Sequence, residues 1–140
     1  MEWKEALPLL QENHTGVVIS VMPNGRAQST VVSTAVLDGK VGFASRGWTV
    51  KIKNIQRTGR ATITVIKLDT RRYVTVEGPT SIEPWQDFFF NDTATTEIYT
   101  AMGRAPKGTD EEFAKQMREE ERNLVLITPE RLYGSLRSGA

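Results

Sequence analysis

The spacing of apolar positions changes twice along the chain. Trp3, Ala6, Leu7 and Leu10 recur at helical intervals. They predict a short helix ending near Asn13, limited or kinked by Pro8 inside it. From His14 the period shortens. HTGVVISVMPNGRAQSTVVSTAVLDGKVGFASRG is rich in Val, Ile and Thr, which suit a pleated strand. Pro23-Asn24-Gly25 and Asp38-Gly39 punctuate it, and Asn-Gly and Asp-Gly take the positive φ that tight hairpins need. Three antiparallel strands are predicted, at 15–22, 26–37 and 40–46.

Thr49 to Thr58 then reads as a short helix, with Thr49 a possible N-cap and Gly59 a stop. Arg60 to Leu68 is β-branched again, Asp69-Thr70 makes a turn, and Arg72 to Ile82 forms the next strand, ended by Pro84. Farther on, Thr109-Asp-Glu-Glu112 is a capping box. Phe113 and Met117 follow one turn apart on the face to be buried, and that helix ends near Arg122. Leu124 to Ile127 starts a last strand that resumes after Pro129 and runs to Leu136. The fold class is mainly β (α+β), one domain over residues 1–140. Six antiparallel strands with short helices at the gaps predict a closed or nearly closed barrel, which removes exposed sheet edges. There is no βαβ alternation and no G-x-G-x-x-G, so a Rossmann-type domain is not expected.

Composition narrows the chemistry. The chain has 140 residues, 39% hydrophobic and 25% charged, without Cys. That excludes a disulfide framework, a thiolate nucleophile and the usual zinc clusters. MEWKEALPLLQENHTG carries early acidic residues and no long apolar run, so no secretory leader or membrane span is expected, and the cytoplasm is the expected location. A net charge of +1 argues against a general nucleic-acid binder. His14 is the only His; a Ser-His-Asp set, paired carboxylates and metal-ligand spacings are not evident, and no catalytic residue is nominated. An enzyme of this composition needs a cofactor to carry its chemistry.

Charge is uneven. From Arg46 to Arg60 there are five basic residues and no acid: Arg46, Lys51, Lys53, Arg57 and Arg60. Within FASRGWTVKIKN a strand ends, a turn follows and a helix begins. A helix start offers free N–H groups and the positive end of the dipole. Ser45 and Thr49 add hydroxyls. Lys51 and Lys53 in the first turn oppose the dipole unless an anion offsets them. A phosphate site is the functional reading; a solvated basic helix face is the plain one.

At these residues the chain resembles the pyridoxamine 5′-phosphate oxidase-like split β-barrel superfamily. There, a strand ending in aromatic and hydroxyl residues leads to a turn, a Ser/Thr-x-Lys-x-x-Asn/Glu-Leu helix and then Pro/Gly-Arg-Ala. This sequence has Ser45, Thr49, Lys51, Asn54, Ile55, Gly59, Arg60 and Ala61 in that order. KIKNIQRTGRATITV, YVTVEGPTSIE and LVLITPERLYG are most similar to the subgroup using the deazaflavin coenzyme F-420. The resemblance covers about Leu9–Pro84 and Tyr99–Leu136. It implies a six-stranded split barrel of the FMN-binding type, a homodimer with cofactor sites at the interface, and hydride transfer between F-420 and a small organic acceptor. It implies that Ser45, Thr49 and Lys51 hold the cofactor phosphate, with Lys53 and Asn54 beside them. It also turns the second strand toward the cofactor ring, with Ser29, Thr30 and Ser33 as candidates. Alternation puts Ser29, Val31 and Ser33 on one face and Thr30, Val32 and Thr34 on the other; which face meets the ring stays open.

Two departures matter. Val50 stands where the oxidase proper often has Arg, and the C-terminus lacks that enzyme's Arg-Leu-x-Pro ending. Vitamin B6 synthesis is therefore not expected. FMN in the same barrel is the alternative cofactor. A non-catalytic flavin or haem carrier is a further one. Trp48, Tyr73, Arg71 and Arg72 are secondary candidates for the pocket or for an acidic cofactor tail. The resemblance lapses at FFFNDTATTEIYT, Phe88 to Thr100. A Phe run and a Thr-rich run suit a helix poorly. NDTATTEIYT resembles the translation of a sequencing-library adapter and the Phe run a translated poly-T tract, so no function is assigned to this stretch.

Overall fold

A computed structural model describes residues 1–83, 99–100, 102 and 108–137. The chain starts with α1 (Trp3–Glu12), followed by β1 (Thr15–Val21), β2 (Ala27–Leu37) and β3 (Lys40–Arg46). Then come α2 (Val50–Thr58), β4 (Arg60–Lys67) and β5 (Arg72–Glu83). After these lie α3 (Asp110–Glu119), β6 (Arg122–Ile127) and β7 (Arg131–Ser135).

The strands close into an antiparallel barrel in the order β4-β1-β2-β3-β6-β5, with β5 returning to β4, and β7 is an added strand on β5. Two strands do double duty. β2 pairs with β1 through Ala27–Ser33 and with β3 through Thr34–Leu37. β5 pairs with β4 over Arg72–Pro79 and, along its other edge, with β7 at Tyr73–Glu77 and β6 at Thr80–Glu83. The changeover on β5 falls at Gly78, where a Cβ would stand 1.8 Å from the Thr128 carbonyl oxygen. Only glycine fits so close a crossing.

Turn chemistry explains the hairpins. Gly25 has φ 83°, and Asp38 and Gly39 have φ 49° and 72°. The Asn24 side chain accepts from the Arg26 amide at 3.0 Å. Gly59 ends α2 in the left-handed region at φ 70°. Thr109 caps α3 by accepting from the Glu112 amide at 3.2 Å. α1 runs through Pro8 to Glu12.

The helix expected to reach Arg122 stops at Glu119. Glu121 takes φ 50°, which turns the chain so that Arg122 can pair with Arg46. The last strand therefore begins two residues earlier than the apolar run suggested. The expected end of β5 at Pro84, and Phe88–Ile98 of the Phe- and Thr-rich stretch, lie outside the described residues. Tyr99 and Thr100 are helical.

Two apolar clusters flank the sheet. The barrel interior holds Phe43, Ile52, Ile55, Ile63, Val65, Val74, Val76, Val125 and Ile127, all completely buried. Ala6, Leu9 and Leu10 of α1 join them. Each Val, Leu, Ile or Phe side chain among them contributes roughly 1.5–3 kcal/mol by leaving water. The second cluster lies on the outer side and includes Ala35, Tyr99, Met102, Phe113, Met117, Leu124 and Leu126. The Tyr99 and Phe113 rings pack in a T-shaped pair, centroids 5.2 Å apart at 78°. The ends of β3 and β6 pass between these cores, and α2 starts beside them.

Candidate functional site: an anion pocket at the start of α2

β3 delivers Ser45 and Arg46 to the rim of the barrel. Gly47, with φ 45°, turns the chain toward α2. Both polar groups of Gly47 are tied down. Its N–H donates to the Glu121 carbonyl at 2.9 Å. Its carbonyl accepts from the Asn123 side chain at 2.8 Å. Asn123 is buried, so this corner is fixed from the β6 side.

Thr49 takes the N-cap position, but its hydroxyl does not cap the helix. It lies 3.2 Å from the hydroxyl of buried Ser45 instead. No acidic residue occupies the first turn of α2. The amide groups there are left without the side-chain acceptor that usually satisfies one of them.

A pocket of about 280 Å³ opens at this helix start. It is lined by Val31, Val32 and Ser33 of β2, Ala44, Ser45 and Arg46 of β3, and Thr49 and Lys51. Tyr99, Met102 and Arg122 complete it. The Lys51 ammonium forms no ion pair with a described residue. Burial, and then the nearby Arg122 charge, hold its pKa below the ordinary lysine value. A half-buried ammonium beside another cation and an uncapped helix start are unfavourable together, and an anion offsets both.

Four of the eight sequence candidates meet here: Ser33, Ser45, Thr49 and Lys51. The β2 border of the pocket is mainly the face with Val31 and Ser33, and Val32 of the other face also reaches it. Ser29 lies on the Val31 and Ser33 face, farther along and exposed. Thr30 lies on the opposite face, where its hydroxyl accepts from Gln28 at 3.2 Å. Asn54 is buried against β1, donating to Ser20 at 3.1 Å and accepting from Arg57 at 3.1 Å. Ser20 in turn donates to Gln28 at 3.2 Å, so Thr30 and Asn54 end one internal network that secures α2. Lys53 is exposed outside the pocket.

Trp48 borders a separate hollow with Ile55, Gln56, Gly59, Thr80 and Ile82. Arg72 borders another, with Glu5, Glu12 and Lys67. Tyr73 lies on β5 beside β7. His14 approaches the Thr34 carbonyl through Nδ1 at 3.0 Å, a contact internal to the barrel end. Arg122 and Tyr99 were not nominated by sequence, since neither is near the helix start in the chain. Arg46 belonged to the basic run without being singled out.

The sequence profile described as Pyridoxamine 5′-phosphate oxidase matches residues 3–135. The chain belongs to that family. No curated protein matches it. Among solved structures, it is similar to an F420 reductase at 19% identity and TM-score 0.69, covering 90% of this chain and 94% of the other. A conserved hypothetical protein from Mycobacterium tuberculosis aligns at 20% identity and TM-score 0.75, over 96% of this chain and 84% of that one. A pyridoxamine 5′-phosphate oxidase-related, FMN-binding protein from Nostoc punctiforme aligns at 14% identity and TM-score 0.63, over 94% and 82%. At these identities the likeness is one of fold. Among the described residues, no helix of this family member is long and apolar enough to cross a membrane.

Proposed function

We propose that this family member is an oxidoreductase that binds the phosphate of coenzyme F-420 at the start of α2 and serves a small organic acceptor. The observation that carries the reading is the unmet demand for negative charge at that point. Lys51 lacks an acidic partner among the described residues, the helix lacks a side-chain cap, and the Ser45 and Thr49 hydroxyls face each other beside both. The printed names of an F420 reductase and an FMN-binding protein among the structural neighbours are consistent with it.

The residues present fit such a group. The first amides of α2, Ser45, Thr49 and Lys51 would hold its phosphate, and the β2 face with Val31 and Ser33 would border the ring. A reduced deazaflavin bound there would supply a hydride to the acceptor and be oxidised in turn. The protein contributes orientation and exclusion of water, which lower the barrier without a covalent protein intermediate. The pocket, at about 280 Å³, falls just below the roughly 300–1,000 Å³ of ligand pockets, and Val31 at its edge is 69% exposed. Both features support completion of the site by a second copy of the chain. A homodimer acting in the cytoplasm is the proposed working form.

FMN is the second reading, because Lys51 and Arg122 together suit a doubly charged phosphate monoester. Purified protein titrated separately with F-420 and FMN, followed by absorbance and fluorescence, tests the pair. F-420 binding with weak or no FMN binding is expected. Tight FMN binding without F-420 binding overturns the first reading in favour of the second. Retention of single-stranded RNA with neither cofactor overturns both. Sedimentation should give twice the mass of one chain.

A further inference from the structure

The charge around the pocket has a second source besides α2. Arg122 opens β6 directly opposite Arg46, and its side chain is only 14% exposed. Its Nε donates to Glu120 Oε2 at 2.8 Å. The same carboxylate accepts from Arg46 Nη2 at 3.4 Å and from Gln116 Nε2 at 3.3 Å through its other oxygen. Glu120 is anchored in turn, its amide donating to the Gln116 carbonyl at 3.0 Å. Glu120 thus engages the inner nitrogen of Arg122. The two terminal nitrogens of that guanidinium make no bond to a described residue, while Arg122 lines the pocket that Lys51 also lines. Arg46 and Arg122 share one carboxylate there, and Lys51, the third cation of the pocket, is paired with none among the described residues. A guanidinium placed for structure alone would be expected to use its planar fork on its carboxylate partner.

We infer that Arg122 is a second anion-binding side chain of this pocket, acting with Lys51 on the cofactor phosphate, and that Glu120 is the residue positioning it. The inference rests on the phosphate reading proposed above and extends it to a strand remote from α2 in the chain. A phosphate between Lys51 and Arg122 replaces their mutual repulsion with two attractions. The lowered pKa of Lys51, attributed to burial and then to Arg122, agrees with that proximity. Glu120 leaves the terminal nitrogens available and prevents the side chain from swinging out to solvent.

The test compares each phosphate-bearing cofactor with its phosphate-free counterpart: FMN with riboflavin, and F-420 with its deazaflavin core. Dissociation constants are measured by fluorescence for the wild type and for Arg122→Gln, Arg122→Lys, Glu120→Gln and the Arg122→Gln/Glu120→Gln double variant. Thermal midpoints verify that each is folded. The preference for the phosphate-bearing form should fall about tenfold in Arg122→Gln, as for loss of one charge-assisted hydrogen bond. Arg122→Lys should recover part of it. Glu120→Gln should lose a few-fold, and nothing further when added to Arg122→Gln, because it acts through that side chain. An unchanged preference in Arg122→Gln, or an equal loss for both cofactor forms, overturns the inference while leaving the phosphate site intact. A wild type with no preference for phosphate overturns the phosphate reading itself, and Arg122 with it.

Discussion

Lys51 and Asn54 stand one turn apart on α2, and their surroundings are opposite. Asn54 is buried, with partners on Ser20 and Arg57. Lys51 is half-buried with no acidic partner among the described residues. A polar group whose bonds are all met inside the protein secures the fold. One left wanting charge at a pocket is available to a ligand. The Lys-x-x-Asn spacing that invites a common reading of the two residues therefore divides into a binding half and a structural half.

The sharpest way to break this division is Asn54→Ala. It leaves the Ser20–Gln28–Thr30 network and Arg57 without their common partner, and should cost about 2 kcal/mol of stability. Chemical denaturation measures that cost, while cofactor affinity of the folded protein should be nearly unchanged. A large affinity loss at full occupancy of the folded state would place Asn54 in the site after all. Lys51→Ala should do the reverse. Cofactor binding should weaken roughly tenfold to thirtyfold, with no loss of thermal stability, since a desolvated charge is removed. Unchanged affinity in a titration would take Lys51 out of the site.

A smaller effect concerns pH. Lys51 shares the pocket with Arg46 from β3, Arg122 from β6 and Tyr99, and Glu120 is bonded to the two arginines. Its folded pKa is lowered by burial first and Arg122 second. Between that lowered value and the ordinary lysine value, the unfolded chain binds more protons, so stability of the cofactor-free protein rises with pH across the window. Anion affinity falls over the same window, because the ammonium loses its charge. Titrating the cofactor at stepped alkaline pH should show the wild type losing affinity and Lys51→Ala staying flat. The smallest effect is expected at Lys53, exposed and outside the pocket. Lys53→Ala should change affinity less than twofold and stability by under about 0.5 kcal/mol.

How far the sequence reached follows from the same local-versus-remote distinction. The β-branched runs and the Asn-Gly and Asp-Gly turns fix β1 to β3, because each hairpin is decided by residues next to one another. Gly59 and Thr109 mark helix ends for the same reason. The route from β6 into β7 was also readable at Pro129. The double pairing of β5 was not, since it depends on Gly78 meeting Thr128, a contact between distant segments. The site shows the same limit. Ser45, Thr49 and Lys51 could be found along one stretch, whereas Arg122 arrives through its pairing with Arg46. The roles of Thr30 and Asn54 required knowing which side of β1 and β2 faces inward. The Thr49 hydroxyl turns to Ser45 instead of capping α2, a choice that residue type alone does not decide.

The Gly47 corner has a kinetic consequence. Its bond from Asn123 joins positions 76 residues apart. Contacts this distant along a chain carry a closure cost before they return any stabilisation, and they slow folding. The β1–β2 hairpin can assemble from its neighbours, but the pocket floor cannot exist until β6 has docked on β3. In refolding experiments, recovery of cofactor binding is therefore expected to lag the appearance of strand signal, with the binding site the last part of the barrel to mature.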